Sequence, residues 1–248
     1  MCQLLGVVAN IPVDIQITLK EFKHRGKRNP HGWGFAFFID GSWKVFKEPR
    51  SLVEEDIADE KFRLKSKMII GHVRLKSCGI QSHENTHPFE INNWVFAHNG
   101  TVSSIMSMEE FKLKRFKPIG KTDSEFAFCY LLERLEDERN PKIVEDILKK
   151  EAHNIKTKSG GRFNFILSDG EYLYAYGDDS LYYVERKFPF SSIVLKDDEY
   201  EVDLKDIKDP KEEVIIIATE PLTINEYWKR IIGLKIFKDG KEVVLNYE

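Results

Sequence analysis

Cysteine is scarce in this 248-residue chain. Cys2, Cys78 and Cys129 are the full set, an odd number that builds no disulfide framework and suits a reducing compartment. Long apolar runs are missing too: no stretch approaches the ~20 residues of a membrane-spanning helix, and the first residues lack the basic and apolar segments of a signal peptide. The expectation is a cytoplasmic protein with no membrane partner. Neither charge sign is in excess, since 38 Lys and Arg stand against 41 Asp and Glu for a net charge of -3. Lysines alternate with acidic residues instead of forming a basic stripe, which argues against nucleic acid as a partner. Repeats, low-complexity tracts and linkers are also absent. What is present is enough apolar material for a full core, 42% hydrophobic and 12% aromatic residues, and the chain reads as a single domain over residues 2–248.

Strand-like runs occur at QLLGVVA (3–9), WGFAFFI (33–39), SWKVFK (42–47), KMIIGHVRL (67–75) and NWVFAH (93–98). A helix follows from Thr122, an N-cap with Glu125 as its capping-box partner, and a second covers residues 141–152. Strands resume at RFNFILSD, EYLYAYG, SLYYVER, EEVIIIAT and LKIFKD, with hairpin-type turns at Asp169-Gly170 and Asp239-Gly240. Strands, then helices, then strands is an α+β pattern in which largely antiparallel sheet is covered by helices.

His83-Glu84-Asn85-Thr86-His87 matches the zinc-protease pattern H-E-x-x-H, which requires a helix. Pro88 follows directly, Gly79 lies upstream and no apolar face separates the histidines, so the segment reads as a loop. Adding His72 and Cys78 leaves a zinc cluster as a minor alternative. A stronger reading joins GHVRLKS (71–77), THPF (86–89), FAHNG (96–100) and KTDSE (121–125), each placing polar groups at a strand end or helix start. Cys2 completes the set. A small residue at position 2 favours removal of Met1, leaving a thiol and a free α-amine on one residue. That amine, with a pKa of about 7.7–8.0, can serve as the base for its own thiol.

Cys2, NPHGWGFAFF, GHVR, THPF, AHNG, TDSE, FNFILSDG and ATEPL together resemble the class II glutamine amidotransferases of the N-terminal-nucleophile hydrolase superfamily, in particular their small stand-alone members, over residues 2 to about 225. The resemblance implies a four-layer αββα sandwich, two antiparallel sheets between helices. It implies cleavage of the side-chain amide of glutamine, or of a γ-glutamyl amide, through a Cys2 thioester, with no metal or organic cofactor. Asn99 and Gly100 would supply the oxyanion hole, Arg74 would receive the substrate α-carboxylate and Asp123 its α-ammonium, with His87 and His98 supporting the site. Residues after about 225 resemble no synthase, isomerase or phosphoribosyl-binding domain. The ammonia acceptor is then a separate synthase, or the protein hydrolyses a γ-glutamyl compound itself; a homo-oligomer is left open.

Each residue also has a plainer reading. Arg74 fits a surface arginine, Asp123 a helix-start charge, Asn99-Gly100 a hairpin turn, and Trp33 a packing or pocket-wall residue. Cys78 and Cys129 read as structural, and the charged stretch 195–213 as a solvated edge or a partner surface. Leu75 after the arginine, where many relatives carry an aromatic, and Cys78 depart from the family pattern and leave substrate preference open. Beside the hydrolase stands a catalytically silent γ-glutamyl-ligand or partner-binding protein, which retention of Met1 would favour.

Overall fold

The computed structural model describes residues 1–77 and 79–245. Cys78, and with it the zinc cluster that needs it, lies outside the described residues. In chain order the elements are β1 (Gln3–Val13), α1 (Gln16–Lys23), β2 (Trp33–Ile39), β3 (Ser42–Glu48), β4 (Ser66–Val73), β5 (Phe89–Ile91) and β6 (Trp94–Thr101). Then come α2 (Asp123–Leu135), α3 (Pro141–Ser159), β7 (Arg162–Ser168), β8 (Leu173–Gly177), β9 (Tyr182–Lys187), β10 (Ser192–Val194) and β11 (Glu201–Asp203). The last are β12 (Glu213–Ala218), β13 (Lys229–Arg230), β14 (Gly233–Lys238) and β15 (Lys241–Val243).

Among the described residues these strands form a seven-stranded sheet, β13-β9-β12-β1-β4-β2-β3, and a six-stranded sheet, β15-β14-β8-β7-β6-β5, with β10-β11 as a separate ribbon. The pairings are antiparallel. Alternation along β1 explains the layering. Leu4 and Val8 point inward, packing with Ala36 and Ile70 against Val95, Ala97 and Ile166 of the other sheet. Leu5, Val7 and Ala9 point outward and join Leu19 and Phe22 of α1 with Phe35 and Phe62. On the far side, Phe128, Leu131, Leu148 and Ile155 of the long helices cover Phe96, Phe163 and Phe165. The order is helix, sheet, sheet, helix, the αββα sandwich expected of the N-terminal-nucleophile fold.

Several boundaries differ from the sequence reading. The second helix runs on to Ser159 and ends at Gly160, whose φ of 64° is the left-handed C-cap conformation glycine tolerates. Thr122 caps α2 by accepting from Glu125 N at 3.2 Å. The reciprocal half of the capping box is absent, because Glu125 instead accepts from Ile119 N and Gly120 N at 2.9 and 2.7 Å. Asp239-Gly240 is a two-residue hairpin with both φ positive (46° and 76°). Asp169-Gly170 instead belongs to a four-residue connection between Ser168 and Leu173. The charged stretch after Val194 is more than a solvated edge: Leu195 and Leu204 are buried with Phe190 and Ile193 in a small core of their own. No helix among the described residues is long and apolar enough to cross a membrane.

Candidate active site

β1 is an interior strand, paired with β12 on one side and β4 on the other. Its first residue, Gln3, is opposite Val73, so Cys2 lies immediately outside the ladder, beside the chain leaving β4. Leu75 N donates to Cys2 Sγ at 3.2 Å, while the thiol approaches Leu75 O at 3.4 Å. Burial raises the thiol pKa; the Leu75 N–H, the chain's terminal ammonium and Arg74 act against that rise. With Met1 attached, the nitrogen of Cys2 is a peptide amide and cannot act as a base.

Arg74 is the first residue past β4 and is only 3% exposed, so it is not a surface arginine. Its backbone is fixed from both sides by HGWG, since Arg74 N donates to Gly32 O at 2.7 Å and His31 N donates to Arg74 O at 3.0 Å. Lys76 N, at 3.2 Å, donates to His31 Nδ1. The Arg74 guanidinium donates to Ile80 O at 3.2 Å.

Asn99 and Gly100 lie inside β6, paired with Asn164 and Phe163, and are therefore not a hairpin turn. Any Cβ at position 100 would collide with the Arg162 carbonyl, so the strand requires glycine there. Asn99 Nδ2 donates to Thr219 Oγ1 at 3.4 Å, and the same hydroxyl accepts from Leu4 N at 2.9 Å. Asn164 Nδ2 donates to Asn99 O at 3.1 Å. Thr219 and Asn164 went unmarked in the sequence reading, although the stretches ATEPL and FNFILSDG contain them.

Asp123 opens α2 and is 2% exposed. Its Oδ2 accepts from Val102 N at 2.7 Å and Ser103 Oγ at 3.1 Å, so it ties the chain after β6 to the helix as well as carrying the dipole-favoured charge. His98 bridges the same parts: Nδ1 lies 2.8 Å from Ser124 Oγ and Nε2 lies 3.3 Å from Arg162 O. Burial lowers the His98 pKa, opposed by Asp123. His87 is buried between His72 and Phe89, ring centroids 4.2 and 4.4 Å away, and neither of its ring nitrogens has a hydrogen-bond partner among the described residues. Burial and the neighbouring His72 hold its pKa well below the usual histidine value.

The residues marked in the sequence thus converge. Cys2, Arg74, His87, His98, Gly100 and Asp123 line one narrow slot, and Cys2, Asn99 and Gly100 line an adjoining cavity of about 160 Å³. Other marked residues lie elsewhere. Residues 83–87 are not helical, and His83 pairs with Glu48 at 3.5 Å on the surface. Trp33 packs on Phe35 and Phe62 with Nε1 donating to Glu55, as a packing residue would. Burial pushes the Cys129 thiol, enclosed on α2, up to about 12, as suits a structural cysteine.

The sequence profile of glutamine amidotransferases class-II matches residues 1–248. The chain belongs to this family. Among its relatives, an uncharacterized protein of Methanocaldococcus jannaschii is 40% identical, covering 99% of this chain and 72% of that protein. A protein of Escherichia coli provisionally named a glutamine amidotransferase is 36% identical over 98% of this chain and all of its own length. Among solved structures, a glutamine amidotransferase assigned by prediction in Pseudomonas aeruginosa superposes with a TM-score of 0.71 at 30% identity, covering 98% of this chain and 100% of that one. The glutamine phosphoribosylpyrophosphate amidotransferase of Bacillus subtilis shares the fold at 16% identity, with a TM-score of 0.62 over 98% of this chain and 48% of its own.

Proposed function

We propose that this class II glutamine amidotransferase hydrolyses the side-chain amide of glutamine, or of a γ-glutamyl amide, through a thioester on Cys2. The observation that carries the reading is the meeting of Cys2 with Arg74, Gly100 and Asp123 around one slot, with the Leu75 N–H on the sulfur.

Once Met1 is removed, the α-amine of Cys2 takes the thiol proton and the sulfur attacks the amide carbon. Asn99 Nδ2 and the Gly100 N–H stabilise the oxyanion. The C–N bond breaks as the stored proton passes to the leaving nitrogen, and water then hydrolyses the thioester to the γ-carboxylate. Arg74 receives the α-carboxylate. Asp123 receives the α-ammonium, with its carboxylate held in place by Val102 N, Ser103 Oγ and Ser124 N. The slot between Arg74 and Asp123 measures about 20 Å³, room for about one water and too little for a glutamine. Its lining, which includes Leu75 and Ser77, therefore rearranges to admit substrate. The proposal treats residues 2–248 as one domain, with ammonia passed to a separate synthase or released.

The test is incubation with a diazo-ketone analogue of glutamine followed by intact and peptide mass spectrometry. The expected product is one adduct, on Cys2 of a chain lacking Met1 and prevented by excess glutamine. An adduct elsewhere, or unimpaired ammonia release by Cys2→Ala, overturns the proposal.

A further inference from the structure

The two oxyanion donors of the proposed mechanism are held in different ways. Asn99 offers its side-chain amide, which Thr219 engages from the other sheet. Gly100 offers a backbone N–H and has no side chain through which that N–H could be aimed. The N–H shares a peptide plane with the Asn99 carbonyl, however. The plane is rigid and carries oxygen and hydrogen on opposite edges, so whatever fixes the oxygen also fixes the direction of the N–H.

Asn164, opposite Asn99 on β7, supplies that fixture. It is fully buried and its amide is fully employed. Nδ2 donates to Asn99 O at 3.1 Å and to Asp179 Oδ1 at 2.7 Å. Oδ1 accepts from Asp178 N, Asp179 N and Ser180 N, in the turn from β8 to β9, at 2.9, 3.1 and 3.2 Å. Only this orientation of the amide fits, because a flipped one would set an NH2 group against three N–H donors. The turn is anchored in its own right: Asp178 pairs with Lys156 of α3 and accepts from Phe163 N, and Asp179 O accepts from Arg230 of β13.

We infer that Asn164 is a positioning residue, which sets the Asn99–Gly100 peptide so that the Gly100 N–H meets the oxygen of the amide under attack at Cys2. Donation to the carbonyl edge also strengthens the N–H, since hydrogen bonds in series polarise one another. A donor fixed in advance needs no reorientation as charge develops on the oxygen. Asn164 contacts Asn99 and the turn, and the grip of Arg74 and Asp123 on glutamine does not depend on it. Its loss therefore raises the barrier and leaves substrate binding alone. This inference rests on the thioester reading above.

The experiment measures kcat and KM for glutamine in wild type, Asn164→Ala, Asp178→Ala and the reversed pair Asn164→Asp/Asp179→Asn. The reversed pair keeps an acceptor oxygen for the three turn amides and restores the 164–179 hydrogen bond in the opposite direction, but position 164 no longer donates to Asn99 O. Asp178→Ala loosens the same turn and leaves Asn164 in place. In Asn164→Ala and in the reversed pair, kcat is expected to fall about ten- to hundredfold, the cost of a misplaced donor, with KM little changed. Asp178→Ala is expected to melt lower and to keep its kcat. Glutamate γ-semialdehyde, whose thiohemiacetal on Cys2 carries the same oxyanion, is expected to bind Asn164→Ala more weakly by the factor lost in kcat, and glutamate to bind it as before. Wild-type kcat in the reversed pair, or an equal fall in Asp178→Ala, makes Asn164 a support for the turn and overturns the inference alone. If the reversed pair does not fold, equal weakening of aldehyde and glutamate in Asn164→Ala overturns it. Absence of glutamine cleavage by wild type lacking Met1, with no diazo-ketone adduct on Cys2, overturns the thioester reading and the inference with it.

Discussion

A thiol kept protonated by burial is a poor nucleophile at neutral pH, and Cys2 is in that condition while Met1 is attached. On the proposed mechanism, removal of Met1 activates it by freeing the α-amine of Cys2 as the base. A chain carrying a cleavable leader before Cys2 is expected to be inactive, and exact release of Cys2 to restore ammonia production, followed in a coupled glutamate assay. Cys2→Ala is expected to lose at least about a thousandfold in kcat with its fold intact by circular dichroism. Asn99→Ala removes one oxyanion donor and should cost about 3 kcal/mol of barrier, read as a fall in kcat of about two orders of magnitude. Rates near wild type in that variant would remove Asn99 from the oxyanion hole.

At the level of elements, the start of α2 does two jobs. Thr122 caps the helix and the next two residues reach the slot beside Cys2, Asp123 tying down Val102 and Ser124 meeting His98. Thr122→Ala is expected to lower stability by about 1 kcal/mol in urea unfolding and to raise KM for glutamine, because a fraying first turn displaces Asp123. This element was readable from sequence: TDSE announced both the cap and the carboxylate, and β1–β4, β6–β9, β12 and β14 were legible as apolar runs, whereas the three-residue β5 was not. The unread parts depend on partners distant in the chain. That Gly100 sits in a strand was hidden because Asn-Gly is also the commonest hairpin signal, and only pairing with Phe163 decides between the two. Glu125 was assigned to the Thr122 backbone on spacing, yet the loop at Ile119 and Gly120 folds back and captures it. His31 and Gly32 gave no local sign that they hold the backbone of Arg74, some forty residues on.

For the whole molecule, the three buried histidines set an acid limit on stability. Burial lowers the pKa of His72, to about 3, and also those of His87 and His98. The unfolded chain takes up their protons near pH 6.5, whereas the folded chain refuses them until lower pH, well below it for His72 and His87. Their stabilising effect is thus complete above about pH 6.5 and declines as pH falls toward the folded values, by at most about 1.4 kcal/mol per pH unit for each histidine. The urea midpoint is expected to be lower at pH 5 than at pH 7, and the difference to shrink in His87→Gln. An unchanged difference would mean that carboxylates, not this histidine, set the limit. One hydroxyl has a wider consequence. Thr219 Oγ1 accepts from Leu4 N in the seven-stranded sheet and from Asn99 Nδ2 in the six-stranded sheet, so it works as a dowel between two plates that stack largely through interchangeable apolar side chains. Without it the plates can still stack, but the polar link that joins the start of β1, beside Cys2, to Asn99 is gone. Thr219→Val would then give a sandwich that melts close to the parent yet is out of alignment at the cutting edge.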